Sequence, residues 1–371
     1  MGKDLPLRPL GLYIHIPWCL SKCGYCDFFS LPYSRKAIAE YASYLIREKA
    51  LYPELYQATL HSVYFGGGTP SLLSAEQINT ILDGLPLAED TEITMEINPL
   101  QITKEYITDL KTTPVNRLSL GIQSLHNDEL IWLSRKHKAE QIRAKLDLLT
   151  NHGYTNLSAD LIYGLPGSRV DKLKQNLDRY LVLPLKHISC YLLELHDGCQ
   201  FAALADSLPD ADTQAELYAT ICSILTASGF EQYEISNFSR PGYESRHNLL
   251  YWHCNDCLAL GASACGNYQD ARYINPANLE QYYQNVTHRI RMPESDGGIN
   301  VRQDYIMMNM RLIKGMSLSA YAQRFGNDFV IGRKEKIDWL CSLGLLEVDE
   351  QFIRLSRSAL FISNMVIGEL L

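Results

Sequence analysis

Short β-branched runs alternate with longer amphipathic stretches six times along the first half of the chain. This alternation predicts an α/β fold made of βα units around a parallel sheet. The residue types that carry chemistry sit at or just past the C-terminal ends of these runs, the face on which parallel barrels place their sites. From about Val301 the pattern changes to compact helices and two short strands. Together these features predict a partial (β/α)6 barrel, open on one side because six units stand where eight would close it, followed by a smaller winged-helix-like domain. A chain of 371 residues is too long for one compact core and suits such a division. The expected units are 1–235 for the barrel, 236–300 for a post-barrel segment and 301–371 for the C-terminal domain.

The first strand, expected over 12–16, runs into Trp-Cys-Leu-Ser-Lys-Cys-Gly-Tyr-Cys, which sets Cys19, Cys23 and Cys26 in a C-x3-C-x2-C loop. Cubane iron–sulfur clusters usually take four cysteines, so a loop offering three leaves one iron open for an exchangeable ligand. The alternatives are a structural zinc knot, which needs a fourth Cys or His, and ordinary buried thiols. His15 stands inside the apolar strand, where a packed histidine is the simpler reading. A helix over 34–51 leads to the second strand, 62–65, and then to Gly66-Gly-Gly-Thr-Pro-Ser71. Glycines there let the backbone approach a ligand that any Cβ would hold off, and Thr69 and Pro70 suit a helix start. The plainer alternative is a tight βα turn, which needs one glycine but not three in succession.

The third strand, 92–96, ends on Glu96; the fourth, 117–122, is followed by Gln123; the fifth, 156–162, carries Asp160 among apolar residues and precedes Gly164-Leu-Pro166. A polar side chain turned inward on a barrel strand needs a partner. The sixth strand spans 187–193, and helices over 75–82, 104–110, 139–150 and 170–181 have apolar residues at helical spacing. Arg135, in Leu-Ser-Arg-Lys-His, reads by itself as an exposed helix residue. A helix over 212–228 and a strand over 230–235 end the barrel body, and an irregular aromatic stretch follows with Arg246-His-Asn-Leu-Leu-Tyr-Trp252. Cys254, Cys257 and Cys265 lie just behind it; a C-x2-C pair can bind zinc or iron–sulfur, but a fourth ligand is not evident. Cys190, Cys199, Cys222 and Cys341 are scattered singly and read as small packed residues. The last domain is expected to hold helices over 303–313, 318–325 and 331–343, strands over 345–348 and 352–355, and a final helix from 358.

Ten cysteines without an apolar leader at Met1-Gly-Lys-Asp-Leu-Pro point to a reducing compartment, so a cytoplasmic location is expected. No apolar run approaches the roughly 20 residues that a spanning helix needs. The net charge of −8 and pI near 5.7 argue against a nucleic-acid surface. From Val301 onward nine Lys/Arg face eight Asp/Glu, a net charge of +1, so the winged-helix-like domain reads as a structural or docking module. A small molecule or a protein is the expected partner.

The cysteine spacing resembles that of the radical S-adenosylmethionine superfamily, in which the open iron is chelated by the methionine part of the cofactor. The resemblance implies a [4Fe–4S] cluster on Cys19, Cys23 and Cys26. It also implies S-adenosylmethionine held by Gly67, Gly68, Thr69, Glu96, Gln123, Arg135 and Asp160, together with Tyr13 and Tyr25. The run His247-Asn-x-x-Tyr251-Trp252 is similar to the motif of the coproporphyrinogen dehydrogenase-like branch. In the HemW members of that branch the motif is associated with haem binding, which implies haem as ligand, His247 as a candidate axial ligand and a haem-acceptor protein as partner. A structural His-aromatic cluster is the alternative for these residues. Phe28 stands where the dehydrogenases carry a fourth cysteine, and eighteen residues precede Cys19 where they carry a long extension. Both departures point to the haem-chaperone side; oxygen-independent coproporphyrinogen III dehydrogenation, or another radical oxidoreductase reaction, is the alternative.

Overall fold

The computed structural model describes residues 9–57, 59–291, 294–295 and 300–371. Six parallel strands follow the expected order: β1 (Leu10–Ile16), β2 (Leu60–Gly67), β3 (Leu87–Ile97), β4 (Arg117–Gln123), β5 (Asn156–Tyr163) and β6 (His187–Leu192). Each pairs with the next in sequence. Helices α1 (Arg35–Lys49), α2 (Ala75–Leu82), α3 (Lys104–Leu110), α4 (Asn127–Trp132), α5 (Ile142–Asn151) and α6 (Val170–Leu181) make the crossovers. Short polar residues start them: Ser34 and Thr103 accept first-turn N–H groups, and Ser74 with Gln77 forms a reciprocal capping box.

Alternation along the strands sorts the barrel wall into two faces. Leu12, Ile14, Val63, Phe65, Leu118, Leu120, Leu157 and Leu161 are fully buried in one continuous core with the apolar stripes of the helices. Burial of each such side chain stabilises by about 1.5–3 kcal/mol. The opposite face, carrying Tyr13, Tyr64, Glu96, Arg117 and Asp160, lines the barrel interior and is polar. Ser62 bonds His247 at 2.9 Å, and Ser158 bonds His187 at 2.8 Å within it.

Beyond β6 and α7 (Ala211–Ala227), the short strands β7 (Glu231–Gln232) and β8 (Asn237–Ser239) add antiparallel to one edge. The aromatic stretch expected to be irregular is instead ordered. Arg246–Trp252 forms α8, and Asp256–Leu260 forms β9, which pairs parallel with β1 on the opposite edge. Strands β10 (Cys265–Tyr268), β11 (Ala271–Ile274) and β12 (Glu294–Ser295) extend that edge antiparallel, giving the order β12-β11-β10-β9-β1-β2-β3-β4-β5-β6-β8-β7. A five-residue run whose partner lies at the far end of the chain carries no local periodicity to reveal it.

Helix α9 (Leu279–Thr287) packs on α1. The C-terminal unit comprises α10 (Val301–Asn309), β13 (Met316–Ser317), α11 (Leu318–Phe325), α12 (Lys334–Ser342), β14 (Leu346–Val348), β15 (Phe352–Leu355) and α13 (Ser363–Leu370). Its wing has three strands, not the two expected, because Met316–Ser317 pairs with β15. Arg272 to Asp304 at 2.8 Å, and Arg324 to Asp270, tie this unit to the β10–β11 hairpin. Among the described residues no helix is long and apolar enough to cross a membrane.

Candidate functional site

The C-terminal ends of the strands open into a cavity of about 510 Å³. Cys19, Cys23 and Cys26 of the loop after β1 line one side; Gly67, Gly68, Thr69, Glu96, Gln123, Arg135, Asp160 and Tyr25 line the rest. The loop is pinned from both sides, since Gly68 N–H donates to Ile16 and Leu31 N–H to the Pro17 carbonyl. Thr69 Oγ1 lies 3.8 Å from Cys19 Sγ, and Arg135 Nη1 lies 3.5 Å from Cys23 Sγ. A donor therefore faces each of two thiols.

Arg135 does not behave as the exposed helix residue that its neighbours suggest. Helix α4 stops at Trp132, and Ser134, at φ +58°, turns the chain so that the guanidinium enters the cavity. Its Nη2 donates to the Gly121 carbonyl at 2.6 Å. A Cβ on Gly121 would lie 3.1 Å from Gln123 Nε2 and 3.2 Å from Arg135 Nη2, so this glycine makes room for both side chains. Gly121 is a site residue that the sequence reading missed, and a glycine inside a strand is the signal that could have found it. Gln123 ends β4 in the left-handed region at φ +69°, next to a register shift against β5. Its Oε1 is buried without a partner. A strained backbone holding an unsatisfied amide oxygen at a cavity wall marks a place prepared for a ligand.

Glu96 accepts from Tyr64 Oη at 2.9 Å and from Gly67 N–H at 3.1 Å. Burial, with the charge of Asp160 adding to it, lifts the Glu96 carboxyl to about 7. Burial likewise lifts Asp160 to about 6, against the pull of Ser189, Arg117 and Arg135. Two buried carboxyls held short of full ionisation regain their charge when a cation enters between them. The backbone opposite is a glycine cradle. A Cβ on Gly68 would come within 2.7 Å of the Trp18 carbonyl oxygen and 3.0 Å of Cys19 Sγ. Gly67, at φ +113°, stands against the His15 imidazole. These features fit S-adenosylmethionine, which brings an amino group, a carboxylate and a sulfonium, beside a three-thiolate cluster site.

Two expected residues lie elsewhere. Tyr13 is not among the cavity-lining residues. It bonds His15 Nδ1 at 3.0 Å and stacks behind Gly66 on Tyr64. His247 sits at the other end of the barrel on α8, whose first N–H groups are received by Glu92. It is 2% exposed, its Nδ1 pairs with Ser62 Oγ at 2.9 Å, and Tyr64 and Tyr251 pack on its ring. Burial holds it far below the usual imidazole range, at about 3. The imidazole is enclosed on these sides by Ser62, Tyr64 and Tyr251. Sequence spacing could not show this, because the aromatic residues beside His247 suit a buried plug as well as a ligand face.

The thiols behind that motif do not meet. Cys254 Sγ lies 3.9 Å from the Asp304 carbonyl, Cys257 Sγ lies 3.4 Å from Tyr251 Oη inside the barrel, and Cys265 is exposed. Among the described residues no three His, Cys, Asp or Glu side chains converge on a single-ion site.

Residues 13–179 match the radical SAM superfamily model, and residues 302–362 match the HemN C-terminal domain. Coproporphyrinogen III oxidase (HemN) from Escherichia coli, a radical SAM enzyme, superposes with a TM-score of 0.83 at 24% identity, covering 99% of this chain and 91% of that one. That similarity establishes the fold. Heme chaperone HemW of Lactococcus lactis is 31% identical over 373 residues, 98% of each chain. Heme chaperone HemW of Escherichia coli is 36% identical over 276 residues, 72% of this chain and 73% of the relative. With a glycine cradle, paired carboxyls and three loop thiols converging at one barrel mouth, and with this likeness over nearly its whole length, the chain belongs to the HemW family of radical SAM proteins.

Proposed function

We propose that this chain binds haem and passes it to an acceptor protein, with Cys19, Cys23 and Cys26 holding a [4Fe–4S] cluster beside an exchangeable S-adenosylmethionine. The observation that carries the reading is the meeting of loop thiols, glycine cradle and buried carboxyls in one cavity. The full-length likeness to proteins named heme chaperone HemW supplies the haem. A cluster so held supplies a binding point for the cofactor and a source of an electron.

The chain's own residues do the positioning. Gly67 and Gly68 admit the cofactor's backbone-like end, Glu96 takes its amino group, and Arg135 offers a guanidinium to its carboxylate. Gln123, Asp160 and Tyr25 close the remaining sides, with Thr69 at the thiol of Cys19. Tyr13 supports the cradle from behind, through His15 and Gly66. The reading places the protein in the cytoplasm, where its ten cysteines remain reduced.

Coproporphyrinogen dehydrogenation is the rival activity. Phe28, standing in the place of a fourth cysteine and 62% exposed at the cavity, argues against it. The test is anaerobic reconstitution followed by haem titration and a parallel assay of coproporphyrinogen III conversion. Haem uptake without conversion is expected, and conversion would reverse the assignment. Cys23→Ala is expected to lose the cluster; full iron and sulfide content in that variant would remove the cluster assignment.

A further inference from the structure

One aromatic ring stands between His247 and a cleft on the outside of the barrel. Ser62 takes the Nδ1 of His247, so Nε2 is the nitrogen left for another ligand, and it looks toward Cys257 Sγ at 4.0 Å. Tyr251 meets the imidazole edge-on, ring centroids 5.2 Å apart, with its hydroxyl 3.4 Å from the same Cys257 Sγ. Tyr251 also lines a cleft of about 30 Å³ between α8, the β10–β11 hairpin and the C-terminal unit, whose α10 packs on α8. Two ion pairs wall this cleft: Arg272 to Asp304 at 2.8 Å, and Arg324 to Asp270. The arginine side chains are largely out of water, at 30% and 17% exposure. Arg324 gives Nη2 to Asp270, while its Nε is buried without a partner. A guanidinium with a buried donor idle has room for a second acceptor.

Haem asks for a neutral nitrogen at the iron, a flat apolar contact and cations for its two propionates. His247, its Nδ1 fixed by a hydrogen bond, is oriented as metal-ligating histidines are. The Tyr251 ring offers the contact and the two arginines the cations. A cleft of this size holds about one water, so a macrocycle enters only when the ion pairs part. Parting them for another carboxylate costs little, because a propionate is the same kind of acceptor as an aspartate and neither guanidinium is left buried and unpaired. We propose that haem reaches His247 through this cleft, past Tyr251, with Arg272 and Arg324 exchanging Asp304 and Asp270 for the haem propionates. This rests on the haem-binding reading above and names its entry and its anchors.

The experiment is titration of cluster-reconstituted proteins with haemin and with haemin dimethyl ester, which lacks the propionate charges, followed by absorption. Wild-type protein is expected to prefer haemin by about tenfold or more, the value of a hydrogen bond to a charged group. The double variant Arg272→Gln with Arg324→Gln is expected to lose that preference by weakening haemin alone. The double variant Asp270→Asn with Asp304→Asn removes the competing carboxylates and keeps the arginines, so it is expected to gain affinity for haemin and to take it up faster. A clamp with no part in recognition would be loosened alike from either side, so opposite signs in the two variants identify the propionate contacts. His247→Ala is expected to shift the Soret band. Equal wild-type affinity for the two haemins, wild-type behaviour of the arginine variant, or the same direction of change in both double variants overturns the site while haem binding itself stands. If wild-type protein takes up neither haemin, the haem-binding reading falls, and this site with it.

Discussion

Gly68→Ala adds a single methyl group, and the structure says what that group meets. The nearest atoms are the Trp18 carbonyl oxygen at 2.7 Å, Cys19 Sγ at 3.0 Å and the Pro17 carbonyl carbon at 3.0 Å. Two of the three are backbone and the third is a thiol of the proposed cluster loop, so no long flexible side-chain end can swing aside. Relief requires the segment 17–19 to move outward, and it is pinned there by the bond from Gly68 N–H to Ile16. Overpacking of this kind costs about 1–3 kcal/mol. Because the displaced atoms are the thiol and the chain that carries it, the penalty falls on cluster and cofactor binding, a factor of about 5 to 150. Gly167→Ala is the matched control. Its φ of +72° gives backbone strain, but nothing lies within 4 Å of the new Cβ. Iron and sulfide content after anaerobic reconstitution, with S-adenosylmethionine affinity measured by calorimetry, reads the difference. Wild-type occupancy and affinity in Gly68→Ala would refute the cradle.

Three further outcomes are expected. His247→Ala removes the partner of buried Ser62; it should destabilise by about 1–3 kcal/mol while iron content is kept, and an unchanged Tm would count against the plug role. Glu48 is buried between α1 and α9, accepting from Tyr282, Gly261 and Asn275. Burial lifts its carboxyl from 4.5 to about 7, so the folded state binds the proton more tightly than the unfolded chain. Its contribution is greatest below the ordinary value and is lost as pH rises through 4.5–7, so Glu48→Gln should flatten Tm against pH in that window; parallel curves would exclude it. Gly368 lies in α13 with open space around it, and Gly368→Ala should stabilise by about 0.5–1 kcal/mol, detectable as a raised melting temperature.

The strands and most helices were legible because each writes its own local period. Ala75–Leu82, Lys104–Leu110, Val170–Leu181 and Leu318–Phe325 fall where apolar spacing places them. The C-x3-C-x2-C loop and Gly66-Gly-Gly are contiguous, so their chemistry is written in a few adjacent residues. The inward strand positions Glu96 and Asp160 were marked by polarity in apolar runs, and the cavity gathers both.

What the linear order left open depends on contacts between distant segments. Strand β9 acquires its identity only by pairing with β1, and Arg135 reaches Cys23 only because Ser134 adopts a left-handed turn. The motif at 247–252 displays histidine and aromatic rings in either reading; capping by Glu92 and the bond to Ser62 turn it into the barrel's floor. Periodicity is a property of neighbours along the chain. Accessibility, by contrast, is decided by whatever packs against a side chain, and for His247 the partners Ser62 and Tyr64 are remote in sequence.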